Sequence, residues 1–174
     1  TPVDIGEAMA MDENGIQFLI NNAPEMFSLG TSIIIWTAVD NSGNSSFATQ
    51  EVNVVDTTPP TISSISDKIV EAVSPYQNIV KLEAPSADDT LGVISVTSDT
   101  PEFFPLGETI VTWTATDVAG NTASTEQKVL VVDTTVPTLT IPSDLNVEAT
   151  SLQETSVAIG QATADDISDI SSIT

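Results

Sequence analysis

The sequence contains no cysteine, no histidine and no arginine, and its only cationic side chains are Lys68, Lys81 and Lys128. Without cysteine there are no disulfides and no thiol chemistry. Without histidine a Ser-His-Asp arrangement cannot be built, and zinc loses both of the ligand types it prefers. Three lysines against 25 acids give a formal net charge of −22, which leaves no basic footprint for nucleic acid. An anionic membrane surface would repel the chain as well. No apolar run approaches the roughly 20 residues of a membrane span, and no signal peptide is present, although an internal stretch of a longer protein would lack both. Aromatic residues are few: two Trp, one Tyr and five Phe.

What the chain does contain is repetition. Trp36 returns as Trp113, Asp40 as Asp117, Asn44 as Asn121 and Asp56 as Asp133, each pair 77 residues apart. Thr61, Asp67 and Val70-Glu71-Ala72 return at the same spacing as Thr138, Asp144 and Val147-Glu148-Ala149, and Ala87-Asp88-Asp89 returns as Ala164-Asp165-Asp166. A tandem array of small modules ordinarily sets length, reach and contact rather than a single chemical step.

Short stretches rich in Val, Ile and Thr, separated by Pro, Gly, Asp and Ser, predict an all-β protein. Comparing the copies shows which face points inward. Val111, Trp113 and Ala115 match Ile34, Trp36 and Ala38, whereas Thr112 and Thr114 match Ile35 and Thr37. Val129 and Val131 match Val52 and Val54, while their neighbours Lys128 and Leu130 match Glu51 and Asn53 and mark the solvent face. Val80 and Leu82 match Val157 and Ile159, and also Val3 and Ile5. A period of two with one face kept apolar describes a sheet packed on one side, and two such sheets form a sandwich. Trp36 and Trp113 fall on inward positions and are expected in the core.

Asp117-Val118-Ala119-Gly120-Asn121 reads as a hairpin in which Gly120 takes the left-handed position, and Asn41-Ser42-Gly43-Asn44 repeats it. Pro101, Pro105 and Gly107 break the chain before the Trp113 strand. Thr57-Thr58-Pro59-Pro60 and Thr134-Thr135-Val136-Pro137 read as stiff linkers that follow an apolar strand ending in Asp. These cuts predict the C-terminal part of one module over 1–56, a complete module over 57–133 and the N-terminal part of another over 134–174. The part-units are expected to belong to a longer array. Strand exchange between identical subunits is the other possibility, because 134–155 corresponds to opening strands that the first unit lacks.

The run "DTTPPTI", followed by "VEA", "APSADD", "FPLGETIVTWTATDVAGNTA" and "VLVVDTT", resembles the hyalin repeat (HYR) module across the whole chain, most specifically from Phe104 to Ala123. The resemblance implies an immunoglobulin-like sandwich, tandem extracellular copies, and an adhesive or spacing role without catalysis. The absence of the Cys pair carried by many animal members makes the chain look like the prokaryotic version found in large surface and secreted proteins.

In an immunoglobulin-like topology the incoming linker, the B–C loop and the F–G hairpin share one pole. Asp56, Asp88, Asp89, Asp117 and Asn121 are therefore expected to meet, with Asp133, Asp165 and Asp166 at the following junction. Converging carboxylates repel one another unless a cation sits among them. Ca²⁺ accepts six to eight oxygens in a flexible shell and suits this set better than Mg²⁺. Asp40, Asn44, Glu71 and Glu148 form a secondary set. The first unit departs at its B–C loop, where Met11-Asp12 replaces Asp88-Asp89. Asp and Asn are also common turn residues that bond their own backbone, and Glu71 and Glu148 read as solvated.

The sequence thus predicts a non-catalytic extracellular array, a component of an adhesin, filament or surface layer, stiffened by Ca²⁺ between modules. Its expected partners are neighbouring modules and identical subunits. An accessory or carbohydrate-binding module of a large secreted enzyme is the alternative, and it would require exposed aromatics on one sheet face. Asn44-Ser45-Ser46 is also a glycosylation sequon, but Asn44 is first a hairpin residue.

Overall fold

The computed structural model describes residues 3–152, 154–170 and 172. The described residues form eleven strands and no helix. Contacts divide the chain into two compact units, one running to Thr58 and including Ala119–Asn121, the other comprising Pro59–Val118 and the residues from Thr122 onward.

The first unit is an antiparallel sheet of β1 (Ile16–Asn21), β2 (Gly30–Asp40) and β3 (Ser45–Val54), in that order. Ile34 is its fully buried side chain, and Trp36 and Ala38 on the same face are half-buried. The β2–β3 hairpin closes where the Gly43 amide donates to the Asp40 carbonyl at 3.1 Å. Gly43 sits at φ +86°, a conformation that a side chain would strain.

The second unit contains β4 (Thr61–Ile62), β5 (Lys68–Glu71), β6 (Ala87–Asp88), β7 (Val93–Ser98), β8 (Gly107–Asp117) and β9 (Thr122–Val132). Four of these strands form a sheet in the order β5-β9-β8-β7, with β5 parallel to β9 and the other pairs antiparallel. The β4–β6 pair supplies the second layer, and Ile62 packs on the shared core. This is an immunoglobulin-like sandwich. Strict alternation along β8 buries Val111, Trp113, Ala115 and Asp117, and along β9 it buries Gln127, Val129 and Val131. Phe104 and Ala72 close the core. Each fully buried Val or Phe contributes about 1.5–3 kcal/mol relative to an exposed one.

The polar members of the core are matched. Trp113 Nε1 donates to Gln127 Oε1 at 3.2 Å, and Gln127 Nε2 donates to the Ser66 carbonyl at 2.9 Å. In the first unit Trp36 Nε1 donates to Gln50 Oε1 at 2.9 Å, and Gln50 Nε2 to the Ile5 carbonyl at 3.0 Å.

Two expectations of inward strands need adjustment. Val80 and Leu82 do pack against the core, but through an irregular segment whose one ladder contact is the bridge between Asn78 and Phe104. Buried Asn78 holds this segment in place of a ladder, accepting from the Val73 and Ser74 amides and donating to the Ser74 and Phe104 carbonyls. Val157 and Ile159 are exposed. Residues 134–170 contribute only the short pair β10 (Thr138–Thr140) and β11 (Thr163–Asp165) among the described residues, and no second layer covers them.

Candidate metal centre

Asp117 is the last residue of β8 and continues the inward phase of Val111, Trp113 and Ala115, so the pleat itself carries a carboxylate into the interior, where it is 0% exposed. Asp89 follows β6 in a tight turn. Its Oδ1 accepts the Leu91 amide at 2.8 Å, and its carbonyl accepts the Gly92 amide at 3.2 Å. Gly92 in turn accepts the Val118 amide at 3.1 Å, which pins this turn to the β8–β9 hairpin. Asp56 lies in the segment leading into β4. Its Oδ1 accepts the Thr58 amide at 3.0 Å, while its Oδ2 is buried with no hydrogen-bond partner.

One carboxylate oxygen from each of Asp56, Asp89 and Asp117 lies within 4.8 Å of the others. Ionised carboxylates only accept hydrogen bonds, so these groups cannot satisfy one another. A hard cation with oxygen ligands resolves both the repulsion and the orphaned Asp56 Oδ2. Asn121 frames the same place, its Nδ2 donating to the carbonyls of Asp56 and Thr58 at 3.2 and 3.3 Å. The arrangement is thus an acidic cluster able to hold a metal ion.

The comparisons with known proteins agree with this architecture. Residues 55–131 match the HYR domain, a span that includes all three clustered acids. The central segment is an HYR module. The chain is 41% identical over 150 residues to a hyalin of Strongylocentrotus purpuratus, and 36% identical over 181 aligned positions to a hyalin of Lytechinus variegatus. These matches take in 79% and 96% of this chain but only 12% and 34% of the two hyalins, so the chain spans about a third or less of those relatives. A third relative is the sushi, von Willebrand factor type A, EGF and pentraxin domain-containing protein 1 of Rattus norvegicus, 34% identical over 101 residues, or 56% of this chain and 3% of that protein.

Within and around the HYR module the remaining sequence-predicted residues are distributed as follows. Asp88 ends β6 with its side chain exposed, outside the cluster, and its carbonyl accepts the Thr61 hydroxyl at 3.0 Å. Asp40 and Asn44 serve their own hairpin. Asp40 Oδ1 accepts the Ser42 and Asn44 amides, and Oδ2 accepts Asn44 Nδ2, all at 2.8 Å. The Asn44 side-chain bond, followed by the backbone ones, holds the Asp40 carboxyl below its usual range.

Beyond β9, Asp133 Oδ1 accepts the amide and hydroxyl of Thr135, while Oδ2 accepts the Ser168 amide at 3.2 Å and also its hydroxyl. Asp166 Oδ1 accepts the Ser168 amide at 3.2 Å. These donors, Ser168 foremost and Thr135 next, push the Asp133 carboxyl far below the ordinary carboxylate range. Asp165 lies exposed on β11.

Glu71 does more than face solvent. It accepts the Thr134 amide at 2.8 Å on Oε1 and the Thr134 hydroxyl at 2.9 Å on Oε2, fastening the chain as it leaves β9. Glu148 is exposed. Ser168, Thr134 and Thr135 were invisible as partners because donors are chosen by tertiary position. Gln127 carried a readable signal, being a polar residue in the inward phase of Val129 and Val131 with Gln50 as its repeat.

Proposed function

We propose that the chain is part of a non-catalytic, extracellular adhesive repeat array, and that Ca²⁺ bound by Asp56, Asp89 and Asp117 stiffens the entry to the HYR module. The observation that carries the metal reading is the buried, partnerless Asp56 Oδ2 beside two further carboxylates. Backbone carbonyls of the Asp56–Thr58 segment supply further oxygens, and Asn121 orients them. The module limits proposed are 57–133, with 1–56 and 134–174 belonging to neighbouring units.

Similarity to two hyalins and to a multidomain relative supports the extracellular and adhesive parts of the reading. In this arrangement the ion acts mechanically. Without it the acids repel; with it, the segment entering the HYR module is stiffened.

Calcium titration followed by calorimetry and small-angle scattering tests the proposal. Binding at up to millimolar calcium, with a higher melting temperature and a longer, narrower particle, is the expected result. No heat, no thermal shift and no change in dimensions would leave a plain spacer.

A further inference from the structure

The outer face of the first unit's sheet is apolar where the HYR module's is polar. Cross-strand rows place Phe18 beside Val39 and Ser45, Ile20 beside Thr37 and Phe47, and Ile35 beside Thr49. Ile33 stands opposite Glu51 on this same face. Phe18, Ile20, Ile33, Ile35 and Phe47 are 43%, 54%, 64%, 42% and 66% exposed. Trp36, Ala38 and Ile34 point to the opposite, core-facing side, so completing the sandwich would cover those residues and leave the outer face bare.

The corresponding residues of the HYR module, 77 positions later, are Ser95, Thr97, Ile110, Thr112 and Ser124. Four of the five apolar side chains are thus Ser or Thr on the sister sheet. The sheet does not need them for folding.

We infer that this face joins two copies of the chain, sheet against sheet. Two arguments select a second copy. Within a chain of net charge −22, the outward positions of these strands carry a single charged residue, Glu51, since Asp40 falls in the opposite phase with Ile34, Trp36 and Ala38, so two such faces meet with little of the repulsion felt elsewhere. The chemistry that matches an uncharged, β-branched and aromatic sheet face is another of the same kind, and a two-fold axis supplies it from the same residues. A contact anchored by five such side chains per copy is a small one, which points to a reversible dimer that gains strength at array concentrations. The inference does not rest on the calcium reading.

Sedimentation velocity of the full chain across a concentration series tests it. A monomer–dimer equilibrium is expected, unchanged between EDTA and millimolar calcium and strengthened by added sodium chloride as residual charge repulsion is screened. Replacing Ile35→Thr and Phe47→Ser, the residues the sister sheet already carries, should weaken the dimer by about tenfold or more per substitution without changing the β-sheet circular dichroism. Should that pair perturb folding, Ile20→Thr with Ile35→Thr is the second variant. A wild-type chain that stays monomeric up to near-millimolar concentration would overturn the inference, as would folded variants that dimerise as strongly as wild type. Dimerisation that appears only with calcium would overturn it too, placing the contact elsewhere.

Discussion

Substituting Asp89 by Asn isolates the charge at the acidic cluster, because an amide oxygen can still accept the 2.8 Å bond from the Leu91 amide and so preserve the turn. With carboxylate oxygens of Asp56, Asp89 and Asp117 within 4.8 Å of one another, two unit charges at that distance repel by about 3.5 kcal/mol at an effective dielectric constant near 20. Asp89 takes part in two such pairs, and because it is only half-buried, solvent reduces the relief to about 1–2 kcal/mol. In EDTA, Asp89→Asn should therefore raise the melting temperature by about 4–16 °C, the range for a domain of 60–100 residues. In calcium the sign reverses. Wild type gains about 2.7 kcal/mol when calcium stands at 100 times its Kd, whereas the variant, lacking one anionic ligand, gains less. Differential scanning calorimetry of both proteins in EDTA and in calcium reads the crossing directly. If the variant is no more stable than wild type in EDTA, the carboxylates are not crowded. If wild type melts at the same temperature in both buffers, no ion relieves them.

Phe104 is fully buried at the centre of the core, and Phe104→Ala should cost about 3–5 kcal/mol, seen as a lower urea midpoint at constant slope. Trp113→Phe keeps most of the packing but strips Gln127 Oε1 of its donor. A loss of about 1–3 kcal/mol is expected, and an unchanged midpoint would show that water replaces the indole. The pH dependence follows from Asp40, whose folded pKa is depressed by Asn44 and the hairpin amides. A depressed carboxyl stabilises fully above its unfolded pKa and loses that contribution as pH falls through the lower, folded value. The Asn44 side-chain amide protons should therefore hold their shifted NMR frequencies at neutral pH and relax only below the ordinary carboxylate range. Movement near pH 4 or above would contradict the hydrogen-bonded assignment.

The sheet was legible in the sequence because each inward position recurs with the same polarity and strand burial has a period of two. That logic fixed Val111, Trp113, Ala115, Val129 and Val131, and it also carried Asp117 into the interior. An acid in phase with a Trp and two small apolar residues is the strongest trace the cluster leaves in the sequence. Asp89 was legible only as one of a pair, since both acids fall in the B–C loop and sequence does not say which of two adjacent side chains faces the hairpin. The structure selects Asp89 and leaves Asp88 outside. The segment from Asn78 to Leu82 was harder to read. It keeps inward alternation but gives up its ladder, and Asn78 replaces the missing bonds with side-chain ones.

Repeated acids do not meet the same fate. Asp133 and Asp166 follow Asp56 and Asp89 by 77 residues, yet a serine, Ser168, stands where Leu91 does beside the earlier pair. Its amide and hydroxyl reach both carboxylates, and Thr135 adds two more donors to Asp133. Leu91 offers only its amide, and that goes to Asp89, leaving Asp56 Oδ2 without a partner. The Ser168 side chain thus gives Asp133 a donor that Leu91 cannot give Asp56. Replacing Leu91 by Ser should supply the missing donor to Asp56, raise the melting temperature in EDTA and shrink the thermal shift produced by calcium. A variant with wild-type melting in EDTA and an undiminished calcium shift would show that the hydroxyl does not reach Asp56. The demand for a metal would then have to arise from Asp117 and Asp89 alone.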